Sequence, residues 1–132
     1  MKIVIDGFGG DHAPDEVLKG AALAVKDLGI EVAVTGDTEV LKKRMEELKI
    51  SSDGIELVHA EGVMLVEDNP RAILKEKTGT SMGVAFKMVA DGKADAVISA
   101  GSTAAIVLGG TMICKRIKGV KRAALVPPMP AK

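Results

Sequence analysis

The sequence predicts a single α/β domain, residues 1–132, with a parallel sheet covered by helices on both faces. Three observations carry that reading. Short apolar, β-branched runs alternate with segments of helical period along the whole chain. The first run, KIVID, is short and β-branched, with the composition of a buried strand. No internal repeat, low-complexity segment or linker interrupts the pattern.

The elements follow in order. Lys2 to Asp6 (KIVID) reads as a buried strand. From Pro14 the period changes: Val17, Leu18, Ala21, Ala22, Val25 and Leu28 recur at helical spacing. Pro14 suits a first helical position, Asp15 and Glu16 favour the positive helix end, and Gly29 is a stop. Glu31 to Thr35 (EVAVT) is a second strand, and Asp37 or Thr38 then caps a helix with Leu41, Met45 and Leu48 inward. Gly54 to His59 (GIELVH) is a third strand. Asn69-Pro70 marks the cap and first turn of a short helix to about Lys75, and Thr80 or Ser81 starts another, with Val84, Ala85, Met88 and Val89 inward and Asp91-Gly92 at its end. Ala94 to Ser99 (ADAVIS) is a fourth strand, Thr103 to Ile117 a helix, and Arg122 to Val126 a fifth strand. Strands alternating with helices require right-handed crossovers, which gives a three-layer, Rossmann-like domain.

Composition narrows the function. An apolar fraction of 47% and a mean hydropathy of +0.23 fit a packed core rather than a disordered chain. With two Phe and no Tyr or Trp, that core is built from Val, Ile, Leu, Met and Ala, and no aromatic platform exists for stacking bases. Eighteen basic residues balance eighteen acidic ones, so both features argue against nucleic acid as a partner. A single cysteine, Cys114, excludes an internal disulfide and fits a reducing cytoplasm. The first apolar run is too short for a signal peptide, and Ala104 to Cys114 spans about half of the ~20 residues a membrane helix needs. A soluble, cytoplasmic protein is expected.

In parallel sheets ligands bind beyond the carboxyl ends of the strands. Two loops there carry chemistry. The first is DGFGGDHAP, residues 6–14: Gly7, Gly9 and Gly10 admit a ligand close to backbone, while Asp11 and His12 could orient groups or move a proton. The same stretch also reads as a tight strand-to-helix turn with a cap. Its spacing is not the dinucleotide G-x-G-x-x-G, because His12 stands at the last glycine, and no G-K-[ST] follows for a phosphate loop. Asp6 and Asp11 would repel phosphate without a cation. The second is SAGSTAA, residues 99–105, where Gly101, Ser102 and Thr103 precede a helix whose unpaired N–H groups suit an anion, beyond the ordinary use of Ser or Thr as a cap.

Other features read more plainly. The helix AAIVLGGTMIC is apolar on every side, so it is core or meets a partner, and Gly109-Gly110 would permit close approach of another backbone. The basic run from Lys115 to Arg122 complements a helix C-terminus and is a solvated face. His59, ending the third strand, could serve as a general base or equally be a satisfied edge histidine, and Cys114 lies among apolar residues and is inert. No metal or cofactor motif is present.

M-K-I-x-I-D-x-x-G-G-D-x-A-P at residues 1–14, T-S-M at 80–82 and A-D-A-V-I-S-A-G-S-T at 94–103 resemble the bacterial acyl-acyl-carrier-protein:phosphate acyltransferases, the PlsX family of phospholipid synthesis. The resemblance covers the whole chain but only the N-terminal part of that family, whose members are more than twice as long. It implies a fold like isocitrate dehydrogenases and phosphotransacetylases, a homodimer, no cofactor, and acyl carrier protein and phosphate as partners, with peripheral membrane association as a further one. It also implies site roles. Ser81, Gly101, Ser102 and Thr103 would hold phosphate or oxyanion, Gly9 and Gly10 would admit substrate, and Asp11 and His12 would be catalytic. Two positions depart from the family's usual pattern: Gly101-Ser102-Thr103-Ala104-Ala105 stands for G-N-T-G-A, and Gly83 stands for Arg. The alternatives are a noncatalytic domain that holds an anion or an acyl carrier, and a nicotinamide-dependent dehydrogenase, which the broken glycine fingerprint disfavours.

Overall fold

The computed structural model describes residues 1–124 and residue 126. Four strands, β1 (Lys2–Asp6), β2 (Glu31–Gly36), β3 (Ile55–His59) and β4 (Ala96–Ile98), form one sheet in the order β3-β2-β1-β4, and every neighbouring pair is parallel. The helices are α1 (Asp15–Leu28), α2 (Thr38–Glu47), α3 (Ser81–Ala90) and α4 (Thr103–Met112), with a 3-10 helix at Pro70–Leu74.

Alternation along β2 builds the layers. Val32 and Val34 face α1 and α2, packing with Leu18, Ala21, Leu41 and Met45, whereas Ala33 points the other way, toward Ala85 and Met88 of α3. A third cluster of Met64, Ile73, Met82, Phe86 and Ala105 seats α4 on α3 and the 3-10 helix.

Local chemistry sets the boundaries. Gly29 closes α1 in the left-handed region at φ 62°, donating its N–H to the Val25 carbonyl. Asp37 caps α2 by accepting from the Glu39 and Val40 amides at 3.0 and 3.2 Å. Pro14 is the residue before α1 rather than its first residue.

Two sequence expectations fail. α4 ends at Met112 instead of Ile117: the Ile113 and Cys114 amides both return to the Gly109 carbonyl, and Lys115 takes φ 69°, which turns the chain off the helix axis. The fifth strand is not formed at Arg122–Ala124 or at Val126, and Leu125 lies outside the described residues. Strand-like composition needs a pairing partner to become a strand, and among the described residues β4 pairs only with β1. β4 itself is shorter than Ala94–Ser99, as edge strands often are.

Candidate active site

Parallel pairing of β1 with β4, with Ile5 opposite Ile98, brings the two glycine loops to the same sheet end. Their junction is Asp6. Its side chain is only 2% exposed, and it accepts the Ser99 hydroxyl at 2.8 Å and the Phe8 amide at 3.3 Å. The Ser99 Oγ in turn accepts the Gly101 amide at 3.0 Å. Gly9 lies against this pair: a Cβ there would stand 2.6 Å from the Asp6 carboxylate and 2.7 Å from the Ser99 Oγ. Gly10 takes φ +101°, open to glycine and strained for other residues.

The sequence-predicted residues divide between two neighbouring clefts. Gly9, Gly10, Asp11 and His12 line one of about 460 Å³, floored by Ile5 and Ile98. Asp11 and His12 are exposed there, and neither side chain makes a hydrogen bond among the described residues. Just beyond, Asp15 pairs with Arg44 of α2, whose Nε donates at 2.8 Å, and this guanidinium holds the Asp15 carboxyl below its usual range.

Thr103 lines the second groove, about 700 Å³, together with Ala104, Val107 and Leu108 of α4, with Arg71 of the 3-10 helix and with Asn69, which caps that helix. Ser102 is buried and caps α4, accepting the Ala105 amide at 3.4 Å. The Gly101 amide is occupied by Ser99, so the donors without acceptors among the described residues are the amides of Ser102, Thr103 and Ala104. Arg71 escaped the sequence reading. It stands some thirty residues from Thr103, and only the packing of the 3-10 helix on α4 brings a cation to that helix start; it forms no ion pair among the described residues. The Asn69-Pro70 helix start was its one sequence signal.

Ser81 lies elsewhere. It is wholly buried in the first turn of α3, its N–H donates to the Gly62 carbonyl at 3.2 Å, and its carbonyl accepts the Thr35 hydroxyl at 2.7 Å. Its own hydroxyl has no partner among the described residues, an arrangement that costs about 1–3 kcal/mol. Gly83, two residues on, fits under the backbone of the preceding loop: a Cβ would lie 2.4 Å from the Thr78 carbonyl oxygen. An arginine there would have to displace that loop.

The remaining candidates are structural. The Nδ1 of His59, on edge strand β3, is 3.3 Å from the Thr38 hydroxyl. Cys114 is half-buried, 3.6 Å from the Phe86 carbonyl, and burial pushes its thiol up, away from the reactive thiolate. Lys115 to Arg122 are all exposed. Gly109 makes room for the Phe86 ring rather than for another backbone, since a Cβ would meet that ring at 2.4 Å, and Gly110 faces open space. Among the described residues no group of three or more His, Cys, Asp or Glu side chains could hold a metal, and no helix is long and apolar enough to cross a membrane.

The model of a family described as "Fatty acid synthesis protein" matches residues 1–132. The chain belongs to this family. Among its relatives, phosphate acyltransferases of Clostridioides difficile and Clostridium acetobutylicum are each 41% identical to it, over 98% and 100% of this chain. A phosphate acyltransferase of Alkaliphilus oremlandii is 40% identical over 98%. These alignments cover 38%, 40% and 39% of the relatives' own lengths, so the chain spans about two fifths of the fatty acid synthesis proteins it matches. The opening motif and the two glycine loops all fall within the matched region.

Proposed function

We propose that this chain is the N-terminal wall of a phosphate acyltransferase active site, acting on acyl-acyl-carrier protein for phospholipid synthesis, in a soluble homodimer. The observation that carries the reading is the start of α4, where Thr103 and Ala104, whose amides have no acceptor among the described residues, border with Arg71 one groove that continues as apolar surface along Val107 and Leu108. Amides at a helix start and a nearby guanidinium suit a phosphate dianion, and the apolar run suits an acyl chain.

In the proposed reaction a phosphate oxygen attacks the thioester carbonyl. The carbon–sulfur bond breaks, the acyl group leaves on phosphate, and the phosphate proton ends on the carrier thiol. No covalent enzyme intermediate is required, so the wall must position phosphate and stabilise the tetrahedral oxyanion. Ser102, Thr103 and Ala104 supply amides for that charge, Gly9 and Gly10 give close access, and Asp11 and His12 orient groups or move the proton.

The test uses a fusion of this chain to the remaining three fifths of the Clostridioides difficile relative, with acyl phosphate trapped by hydroxylamine. Thr103→Pro deletes one amide at a position where proline is tolerated, and Arg71→Ala deletes the cation. Each is expected to raise KM for phosphate about tenfold, the effect of losing one charge-assisted hydrogen bond. An unchanged KM in both variants would overturn the site assignment.

A further inference from the structure

We infer that Asp6 and Ser99 are positioning residues: the buried carboxylate holds the Ser99 hydroxyl, which ties down the Gly101 amide and thereby aims the next three amides at the ligand. This rests on the reading of the α4 start as a phosphate site and says what shapes it.

Three observations converge. Asp6 is nearly inaccessible and its carboxylate is engaged by Ser99 and the Phe8 amide, at the end of a central strand and directly under the loop that follows β4. Its partner Ser99 uses its hydroxyl twice, as donor to Asp6 at 2.8 Å and as acceptor from Gly101 at 3.0 Å. Proton direction is thereby fixed: with the carboxylate accepting, the hydroxyl hydrogen points inward and a lone pair remains for the amide. The surrounding atoms leave little slack, because Gly9 packs on both side chains and a Cβ on Gly101 would lie 3.2 Å from the Ser99 Oγ and 3.6 Å from Gly9 Cα.

The consequence is a division among adjacent amides. Gly101 N–H is turned to the protein, while Ser102, Thr103 and Ala104 N–H are left for the anion. Without the Ser99 hydroxyl, Gly101 loses its acceptor, the turn into α4 relaxes, and the amides lose their common aim. Asp6 also acts against this role through its charge, which disfavours a nearby anion. The two effects have opposite signs on replacement. Asp6→Asn should strengthen phosphate binding if charge dominates and weaken it if positioning dominates.

Inorganic phosphate is titrated into the 132-residue chain and followed by amide chemical shifts, with far-UV circular dichroism and thermal midpoints recorded for each variant. The wild type should show shifts at Ser102, Thr103 and Ala104 at millimolar phosphate. Ser99→Ala should lose roughly five- to tenfold in affinity, as expected for a lost hydrogen bond of a charged network, and Ser99→Thr should restore most of it. Asp6→Asn should move in the same direction as Ser99→Ala. Hydrogen exchange on the wild type alone gives a second measurement, in which the Gly101 amide should be protected and the Thr103 amide should not. No phosphate shift in the wild type removes the anion site and the positioning role with it. Wild-type binding that Ser99→Ala leaves intact, or a freely exchanging Gly101 amide, overturns the positioning role alone.

Discussion

The two glycine loops end adjacent parallel strands, yet they use glycine differently. In the loop after β1, Gly9 is small because interior polar atoms occupy the space around it, the Asp6 carboxylate and the Ser99 hydroxyl standing within 2.7 Å of a would-be Cβ. In the loop after β4, the nearest atom to a Cβ on Gly101 is the flexible Met82 methyl at 2.9 Å, and the adjacent amides are open. The first loop is a packed floor and the second is an open rim. A glycine-rich motif is therefore not a site by composition alone; what crowds each Cα decides between the two.

Catalysis gives the largest expected effect. The 132-residue chain by itself should make no acyl phosphate above background, whereas the fusion with the rest of the Clostridioides difficile relative should. Misplacing phosphate and carbonyl by about 1 Å can cost about a hundredfold, and the rim presents only part of a cleft. Hydroxylamine trapping on both proteins measures this. Comparable rates from the two would mean that the first loop suffices, and His12→Ala would then have to abolish the activity.

Stability separates the loops next. Gly9→Ala should destabilise by about 1–3 kcal/mol through overpacking, while Gly101→Ala should cost less than about 1 kcal/mol because a methionine methyl can move aside. Equal shifts in thermal midpoint would erase the contrast between floor and rim.

The helices that follow the loops extend it. Gly20 in α1 and Gly110 in α4 have nothing within 4 Å of a Cβ, so alanine at either should stabilise by roughly 0.5–1 kcal/mol. Gly109→Ala should instead destabilise, because the Phe86 ring lies 2.4 Å away and is itself buried. Denaturant midpoints of the three variants check both signs.

Acid should have the smallest effect, and on the first loop's side it acts through Asp15. The Asp15 carboxyl is held below its usual range by the Arg44 hydrogen bond. Its contribution is therefore present above the ordinary carboxyl range, near pH 4, and is lost as pH falls through the depressed value. Asp15→Asn should flatten the acid limb of the stability profile without changing stability differences between pH 6 and 8. Asp68 near the other loop is held low as well, first by the Leu65 amide and then by Lys77, so it supplies a matched control.

Much of the fold was legible because its signals are local. Asp37, Thr80 and Gly29 cap where capping chemistry puts them, and the core stripes of α1 and α2 follow helical spacing. What sequence reasoning missed depends on contacts across the chain. Nothing near Arg71 marks it as a neighbour of Thr103. Nothing in SAGST says that Ser99 takes the Gly101 amide out of play, since the reason is a carboxylate far earlier in the chain. Nothing in T-S-M says that Ser81 is wholly buried, with its amide bonded to the distant Gly62 carbonyl. The α4 overrun has the same origin, for the apolar run continues past Met112 while the backbone leaves the helix at Lys115.

The central position of β1 carries a consequence for biosynthesis. Thr35 reaches the Ile5 carbonyl across 30 residues, but the Ser99–Asp6 contact spans 93. Closing a threefold longer loop costs only about 1 kcal/mol more, so the final register is thermodynamically accessible, but it cannot form until β4 has been made. On a ribosome working from the N-terminus, the β1–β2 half can pair early, while the first glycine loop waits for its other wall. A nascent chain arrested before Ser99 would therefore hold Asp6 without its hydroxyl partner, and the junction of the two glycine loops would form only after about three quarters of these residues had been synthesised.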